Sequence, residues 1–237
     1  METHSTDWQE TLARTRAIAA EIRTRRGDKP LTPTPEEVIR QIREERDEQL
    51  PALQTSRLTL RLFTPEDYQT LRELDSDPAV LHYRSRKTIS PEETQKFLER
   101  AKNAPQETPR TFFAYAIISK ESGNFLGQCG MTIIPPTEPG EKRAFLWYSL
   151  LPRHWGHGYM TESVQALLHL GFQHIGLTTI EAECDPENTA SARVMERAGL
   201  LYKGQMERKD KSGNWVKRLH YELNYNEWVE KERIKPE

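Results

Sequence analysis

The stretch Leu150-Leu151-Pro152-Arg153-His154-Trp155-Gly156-His157-Gly158-Tyr159-Met160-Thr161-Glu162 constrains the fold of this 237-residue chain more than any other. An apolar run from Arg143 to Leu151 meets a proline, two glycines follow one residue apart, and helical periodicity begins at Tyr159. Glycines at such a place let the backbone turn sharply and let a ligand come close to it. A strand that feeds a helix through so short a loop leaves the helix's free N–H groups pointing into the gap, with the positive end of the dipole behind them. That is an anion site suited to a pyrophosphate. It is not a P-loop, because no Gly-Lys-Ser/Thr follows. It is not a dinucleotide fingerprint either, because Thr161 stands where the third glycine belongs. Taken alone, the glycine pair also reads as a plain tight turn.

Around this stretch the chain reads as strands and helices in mixed order. Arg57–Phe63 alternates like a strand, and Thr64-Pro65-Glu66-Asp67 opens a helix through about Asp75. Ser90-Pro91-Glu92-Glu93 opens another, ending near Lys102. Two apolar runs, Phe112–Ser119 and Phe125–Ile134, are joined by a hairpin-like Glu121-Ser122-Gly123-Asn124. After the loop come a helix from Tyr159 to about His174, a strand Thr179–Cys184 and a helix Asn188–Ala198. Strands near Leu201–Arg208 and Val216–Asn224 close the pattern, with their turn at Lys211-Ser212-Gly213-Asn214. The expected fold class is α/β, a mixed α+β sheet with helices on its faces. The domain is expected over residues 53–228, followed by a charged tail over 229–237.

Residues 1–50 have a different texture. They carry 9 basic and 11 acidic residues of the chain's 34 and 36, so the whole formal charge of −2 lies there. Two helices are expected, with narrow apolar stripes at Trp8, Leu12, Ala19 and Ile22 and at Val38, Ile39, Ile42 and Leu50. Such stripes do not fold alone; they dock on the main domain, on a second copy as a homodimer, or on a partner, unless the segment is a loosely attached solvated arm. The even charge of the rest argues against a nucleic-acid coat or a polybasic membrane binder. No apolar run reaches the roughly 18 residues of a membrane helix, and the start does not read as a secretory signal. The two cysteines, Cys129 and Cys184, are too far apart for a structural zinc site, so no metal is expected and a reducing, cytoplasmic setting fits.

A second constellation gives the loop its meaning. Asp185-Pro186-Glu187-Asn188-Thr189-Ala190-Ser191 follows a strand and opens a helix. With it, the sequence resembles the GNAT acetyltransferases, particularly the RimJ/RimL-type branch, over roughly Leu53 to Asn226. The resemblance implies the GNAT acyl-CoA N-acyltransferase fold, here with a helical N-terminal extension. It implies acetyl-CoA as co-substrate, with Arg153, Gly156 and Gly158 matching the family's pyrophosphate loop. Tyr159-Met160-Thr161-Glu162 matches its continuation, with Met160 a departure from the usual alanine. Ser56-Arg57-Leu58-Thr59-Leu60-Arg61 is similar to the branch's first strand. Asn188 and Ser191 match the family's Asn-x-x-Ser helix start, which meets the pantetheine arm and the thiol end. Leu150, Leu151, His154, Trp155, His157, Tyr159 and Met160 complete the expected cofactor-binding set.

Acetyl transfer from a thioester to an amine needs two reactants held together, a deprotonated amine, a stabilised oxyanion and a proton for the departing thiolate. Leu150-Leu151 could offer backbone groups to the pantetheine and an N–H to the thioester carbonyl. Ser191 is the candidate general acid, and Asn188 and Ser191 read equally as a helix cap. Glu181, Glu183 and Glu141 are the carboxylates considered as base, and none is assigned. His154 and His157 belong to the loop, Trp147 and Tyr148 to the core or cleft wall, and Cys184 to the core. The acceptor is expected to be an amine: a protein N-terminus, a lysine or a small molecule. Its loops are expected at Asp77–Thr88, basic through Arg84, Arg86 and Lys87, and at Lys209–Asn214. Two other readings stand beside this one: a catalytically inactive CoA-binding module acting through its N-terminal helices, and a toxin acetylating aminoacyl-tRNA, which the charge balance does not favour.

Overall fold

A computed structural model describes residues 52–84, 88–210 and 213–234 of the chain. The two expected N-terminal helices lie outside the described residues, as do Arg86 and Lys87 of the basic loop and Lys211 and Ser212 of the last turn. The strands are β1 (Leu53–Gln54), β2 (Leu58–Arg61), β3 (Phe112–Ser119), β4 (Phe125–Ile134), β5 (Arg143–Leu150), β6 (Thr179–Cys184), β7 (Leu201–Lys209) and β8 (Trp215–Asn224). The helices are α1 (Tyr68–Ser76), α2 (Pro78–His82), α3 (Pro91–Asn103), α4 (Tyr159–His169), α5 (Thr189–Ala198) and α6 (Tyr225–Ile234).

The eight strands form one sheet in the order β1-β2-β3-β4-β5-β6-β8-β7. Every neighbouring pair is antiparallel except β5 and β6, which run parallel over only three residue pairs, Arg143↔Thr179, Ala144↔Ile180 and Phe145↔Glu181. Beyond Phe145, β5 stays paired with β4 as far as Gly127↔Leu150. Beyond Glu181, β6 stays paired with β8 as far as Cys184↔Leu219. Each strand is held by its other neighbour, so the two part and open the middle of the sheet.

Helices cover both faces, which is why β3 is buried along nearly its whole length and reads as a continuous apolar run. One core gathers Tyr115, Met131, Leu146, Val164, Leu167, Met195 and Trp228 on the face of α4, α5 and α6. The other gathers Phe63, Leu71, Leu74, Leu98 and Phe112 on the face of α1, α2 and α3. The start of α3, signalled by Ser90-Pro91-Glu92-Glu93, proves to be a capping box: the Glu93 N–H donates to Ser90 Oγ at 3.2 Å, and the Ser90 N–H donates to Glu93 Oε2 at 2.9 Å.

Several expectations are revised. The helix after Tyr159 is regular only to His169 and then widens into a π turn over Leu170–Ile175. The acceptor loop expected from Asp77 contains α2, capped by Asp77 Oδ1, which accepts from Ala79 N at 2.8 Å and Val80 N at 3.2 Å. The charged tail expected from residue 229 is corrected as well. Helix α6 runs through that boundary, Trp228 is buried, and Lys231 Nζ donates to the Gly199 carbonyl at 2.6 Å. Its composition is charged because only a narrow edge of the helix faces the core. No helix of the described residues is long and apolar enough to cross a membrane.

Gly130 of β4 shows how tightly the middle of the sheet is built. A Cβ there would collide with the Phe113 carbonyl and the Trp147 ring, which stacks on Phe112 at 5.6 Å. Gly130→Ala is therefore expected to lower stability by about 1–3 kcal/mol, as overpacking does. Urea unfolding followed by tryptophan fluorescence measures it, and an unchanged midpoint would contradict this account of the core.

Candidate functional site

Where β5 and β6 part there is a cavity of about 530 Å³. It is lined on one side by Gly156, Gly158–Thr161 and the first turns of α5, and on the other by Ala79, Val80, Tyr83, Phe145 and Arg208. Leu151 N donates to Leu126 O at 3.0 Å, which fixes the hydrogen-bond phase of β5 against β4. Alternation then turns the Leu146 carbonyl, both backbone groups of Tyr148 and the Leu150 N–H to the other edge, beyond the last residue that β6 pairs. This corrects the expectation for Leu151. Its N–H is spent on β4 and its side chain is fully buried in the core under α1 and α3.

The loop after β5 makes a helical turn at Pro152–His154 and then passes through two left-handed glycines, Gly156 at φ 80° and Gly158 at φ 77°. A Cβ is disfavoured at both. Gly158 is the N-cap of α4, so the free N–H groups of the first turn open toward the cavity. The Trp155 indole donates to the Leu150 carbonyl at 2.8 Å and folds the loop back on the strand end. His154 lines the cavity with a buried, unpartnered Nε2, and burial together with the Arg153 charge lowers its pKa, favouring the neutral ring. Arg153 points elsewhere, in an exposed ion pair with Glu73 that holds the Glu73 carboxyl low. Arg153, His157 and Leu151 do not line the cavity, whereas the other expected loop residues do.

A clasp that sequence reading missed fastens this loop. Glu162 Oε1 accepts from Thr55 Oγ1 at 2.5 Å, Ser56 Oγ at 3.0 Å and Arg57 N at 2.9 Å. Glu162 Oε2 accepts from Arg57 Nε at 2.7 Å. These bonds overcome the cost of burial and bring the Glu162 pKa down to about 2.

At the start of α5, Asn188 Oδ1 accepts from Ser191 N at 3.0 Å, so Asn188 is the helix cap. Ser191 Oγ lies 2.9 Å from the hydroxyl of Tyr148, which also reaches the Ser191 carbonyl at 3.1 Å. Tyr148 is thus more than wall: it ties β5 to α5 across the cavity. Burial raises the pKa of Tyr148, and of Cys184 to about 11, so both stay protonated at neutral pH.

On the opposite face, alternation puts Glu181 and Glu183 on the side of Phe145 and Trp147. Glu181 is held by Arg143 at the point where β5 and β6 still pair. Glu141 is tied to its own loop, accepting from Thr137 Oγ1 at 2.7 Å and Thr137 N at 2.8 Å, bonds that lower its pKa. Glu183 alone of the three reaches the cavity wall, in an ion pair with Arg208 at 2.9 Å.

Comparison with known proteins decides what this site belongs to. The family model described as acetyltransferase (GNAT) domain matches residues 57–201, more than half of the chain. The chain belongs to the GNAT acetyltransferases. It is 33% identical over 161 residues to the uncharacterized N-acetyltransferase p20 of Bacillus licheniformis, covering 64% of this chain and 86% of that protein. A GNAT acetyltransferase of Bacillus anthracis superposes with a TM-score of 0.60 at 25% identity, covering 74% of this chain and 99% of its own. The ribosomal-protein-S5-alanine acetyltransferase of Vibrio fischeri shares the fold, with a TM-score of 0.63 at 17% identity over 78% of this chain and 99% of its own. The expected family and fold are borne out, and the protein is an acetyl-CoA-dependent N-acetyltransferase by that membership. In this chain the open edge of β5 and the glycine loop lie side by side.

The Glu162 clasp carries a pH signature. Its folded pKa, about 2, lies below the ordinary 4.5, so its stabilisation is complete above pH 4.5 and disappears as pH falls through about 2. Glu162→Gln is expected to lower the melting temperature at pH 7, with the gap to the native chain closing between those pH values. A gap independent of pH would show that the charge of Glu162 does not hold the loop.

Proposed function

We propose that the protein moves the acetyl group of acetyl-CoA directly to a primary amine in a ternary complex, with the pyrophosphate at the Gly156–Gly158 loop and the pantetheine along the open edge of β5. The observation that carries this reading is the parting of β5 and β6 beside the N-terminus of α4, which joins an anion site to an unpaired strand edge. The amine enters from the α2 side, where Glu183 accepts its proton, directly or through water. The amine nitrogen attacks the thioester carbonyl, and a β5 backbone N–H stabilises the oxyanion. As the C–S bond breaks, Ser191 donates a proton to the thiolate and regains one from solvent through the Tyr148 hydroxyl. Cys184 takes no part, because a thiol with its pKa raised to about 11 is a poor nucleophile at neutral pH. The acceptor is a protein N-terminus, a lysine or a small-molecule amine, and the setting is cytoplasmic.

Ser191→Ala is expected to lower kcat about 100- to 10,000-fold, with KM for acetyl-CoA within about threefold of native. Release of the CoA thiol with a panel of amines, beside calorimetric titration of acetyl-CoA, tests the whole reading. Binding without thiol release for any amine would overturn it in favour of a non-catalytic CoA-binding module.

A further inference from the structure

Arg57 lies in the connection between β1 and β2, far from the glycine loop in sequence, yet its guanidinium touches His157 and Tyr159 and stands beside Gly158 between them. Nη1 donates to the His157 carbonyl at 2.9 Å. Nη2 lies 3.4 Å from the place where a Cβ on Gly158 would stand. The Arg57 Cζ sits 4.8 Å from the centre of the Tyr159 ring. The remaining nitrogen, Nε, is bound by Glu162, so the guanidinium is neutralised and fixed from behind. Arg57 does not line the cavity, whereas Gly158 does.

The peptide between His157 and Gly158 converts this grip into a direction. In a trans peptide the C=O and N–H point to opposite sides of the chain. Holding the His157 carbonyl on Arg57 therefore turns the Gly158 N–H away from Arg57. Gly158, at φ 77°, has no Cβ to restrict rotation about this peptide, so a contact from outside must choose its orientation. We propose that Arg57 is a positioning residue of the cofactor site: it sets the His157–Gly158 peptide so that the Gly158 N–H faces the pyrophosphate. The proposal rests on the acetyl-CoA reading above and deepens it, since Arg57 touches the loop and not the ligand.

The test exploits the part of the cofactor that the loop serves. Steady-state kinetics of Arg57→Gln are measured with acetyl-CoA and with acetyl-pantetheine, which lacks the pyrophosphate. KM for acetyl-CoA is expected to rise about tenfold or more with kcat nearly unchanged, while kcat/KM for acetyl-pantetheine stays within about twofold of native. Equal losses with both substrates would reduce Arg57 to a general structural part, and no loss with either would remove it from the site; both overturn the proposal. Arg57→Lys keeps the charge but not the fork, and it serves also if Arg57→Gln fails to fold. It is expected to lose efficiency with acetyl-CoA only, and native behaviour of this variant overturns the positioning role. A native chain that turns over no acetyl-CoA would overturn the acetyltransferase reading itself. A missing contrast in an active protein overturns only the role of Arg57.

Discussion

The three-residue pairing of β5 with β6 is the constraint on which the site depends. If these strands paired along their length, the Leu146 carbonyl, both backbone groups of Tyr148 and the Leu150 N–H would be used within the sheet, and no cavity would exist. Because each strand is held by its other neighbour, the sheet opens without losing continuity. The cost is an unpaired strand edge in the middle of a domain, which an extended ligand can satisfy. The two halves of the cavity then differ for a simple reason: side chains alternate across a sheet, so one face receives the glycine loop and α5, and the other receives Phe145, Glu183 and α2.

Rigidity around this opening comes from contacts between distant segments. The Glu162 carboxylate gathers four donors from Thr55, Ser56 and Arg57 at the far edge of the sheet. The Tyr148 hydroxyl bridges from β5 to Ser191 of α5. Tyr148 lines the cavity and Glu162 follows directly on Thr161, which does, yet neither is a residue that a search for nucleophiles or bases would choose. A carboxylate whose bonds hold its pKa near 2 is suited to holding a loop and unsuited to accepting a proton at neutral pH.

The carboxylates separate by the same reasoning. Sequence left the base unassigned among Glu141, Glu181 and Glu183, because all three sit on or near strands that border the expected site. Glu141 turned out to close its own loop, and Glu181 to lie where β5 and β6 are still paired. Two residues further along β6, on the same face, Glu183 stands where the strands have separated. Arg153 illustrates the reverse case: the motif position matches the family's loop, but its guanidinium is engaged by Glu73 on α1, a partner that no local pattern announces.

Much of the fold was legible because it is written in local chemistry. Apolar runs marked β3 and β4 with the bounds the structure gives, Thr179–Cys184 was likewise read as the strand that is β6, and the capping signals at Ser90-Pro91 and Asn188 marked the starts of α3 and α5. The glycine pair before Tyr159 announced the sharp turn from strand to helix, because only residues without a Cβ take that path readily. Short or charge-rich elements escaped: β1 has two residues, α2 has five, and α6 buries so narrow an edge that its sequence reads as a tail. What the sequence by itself determined was the kind of chemistry, through residue types at fixed spacing along single elements. What only the tertiary structure decided was which groups meet: Arg57 with the loop, Tyr148 with Ser191, Glu183 rather than Glu181 at the cavity. Those choices depend on strand register and on where two neighbouring strands stop pairing, and both are set by contacts between residues far apart in the chain.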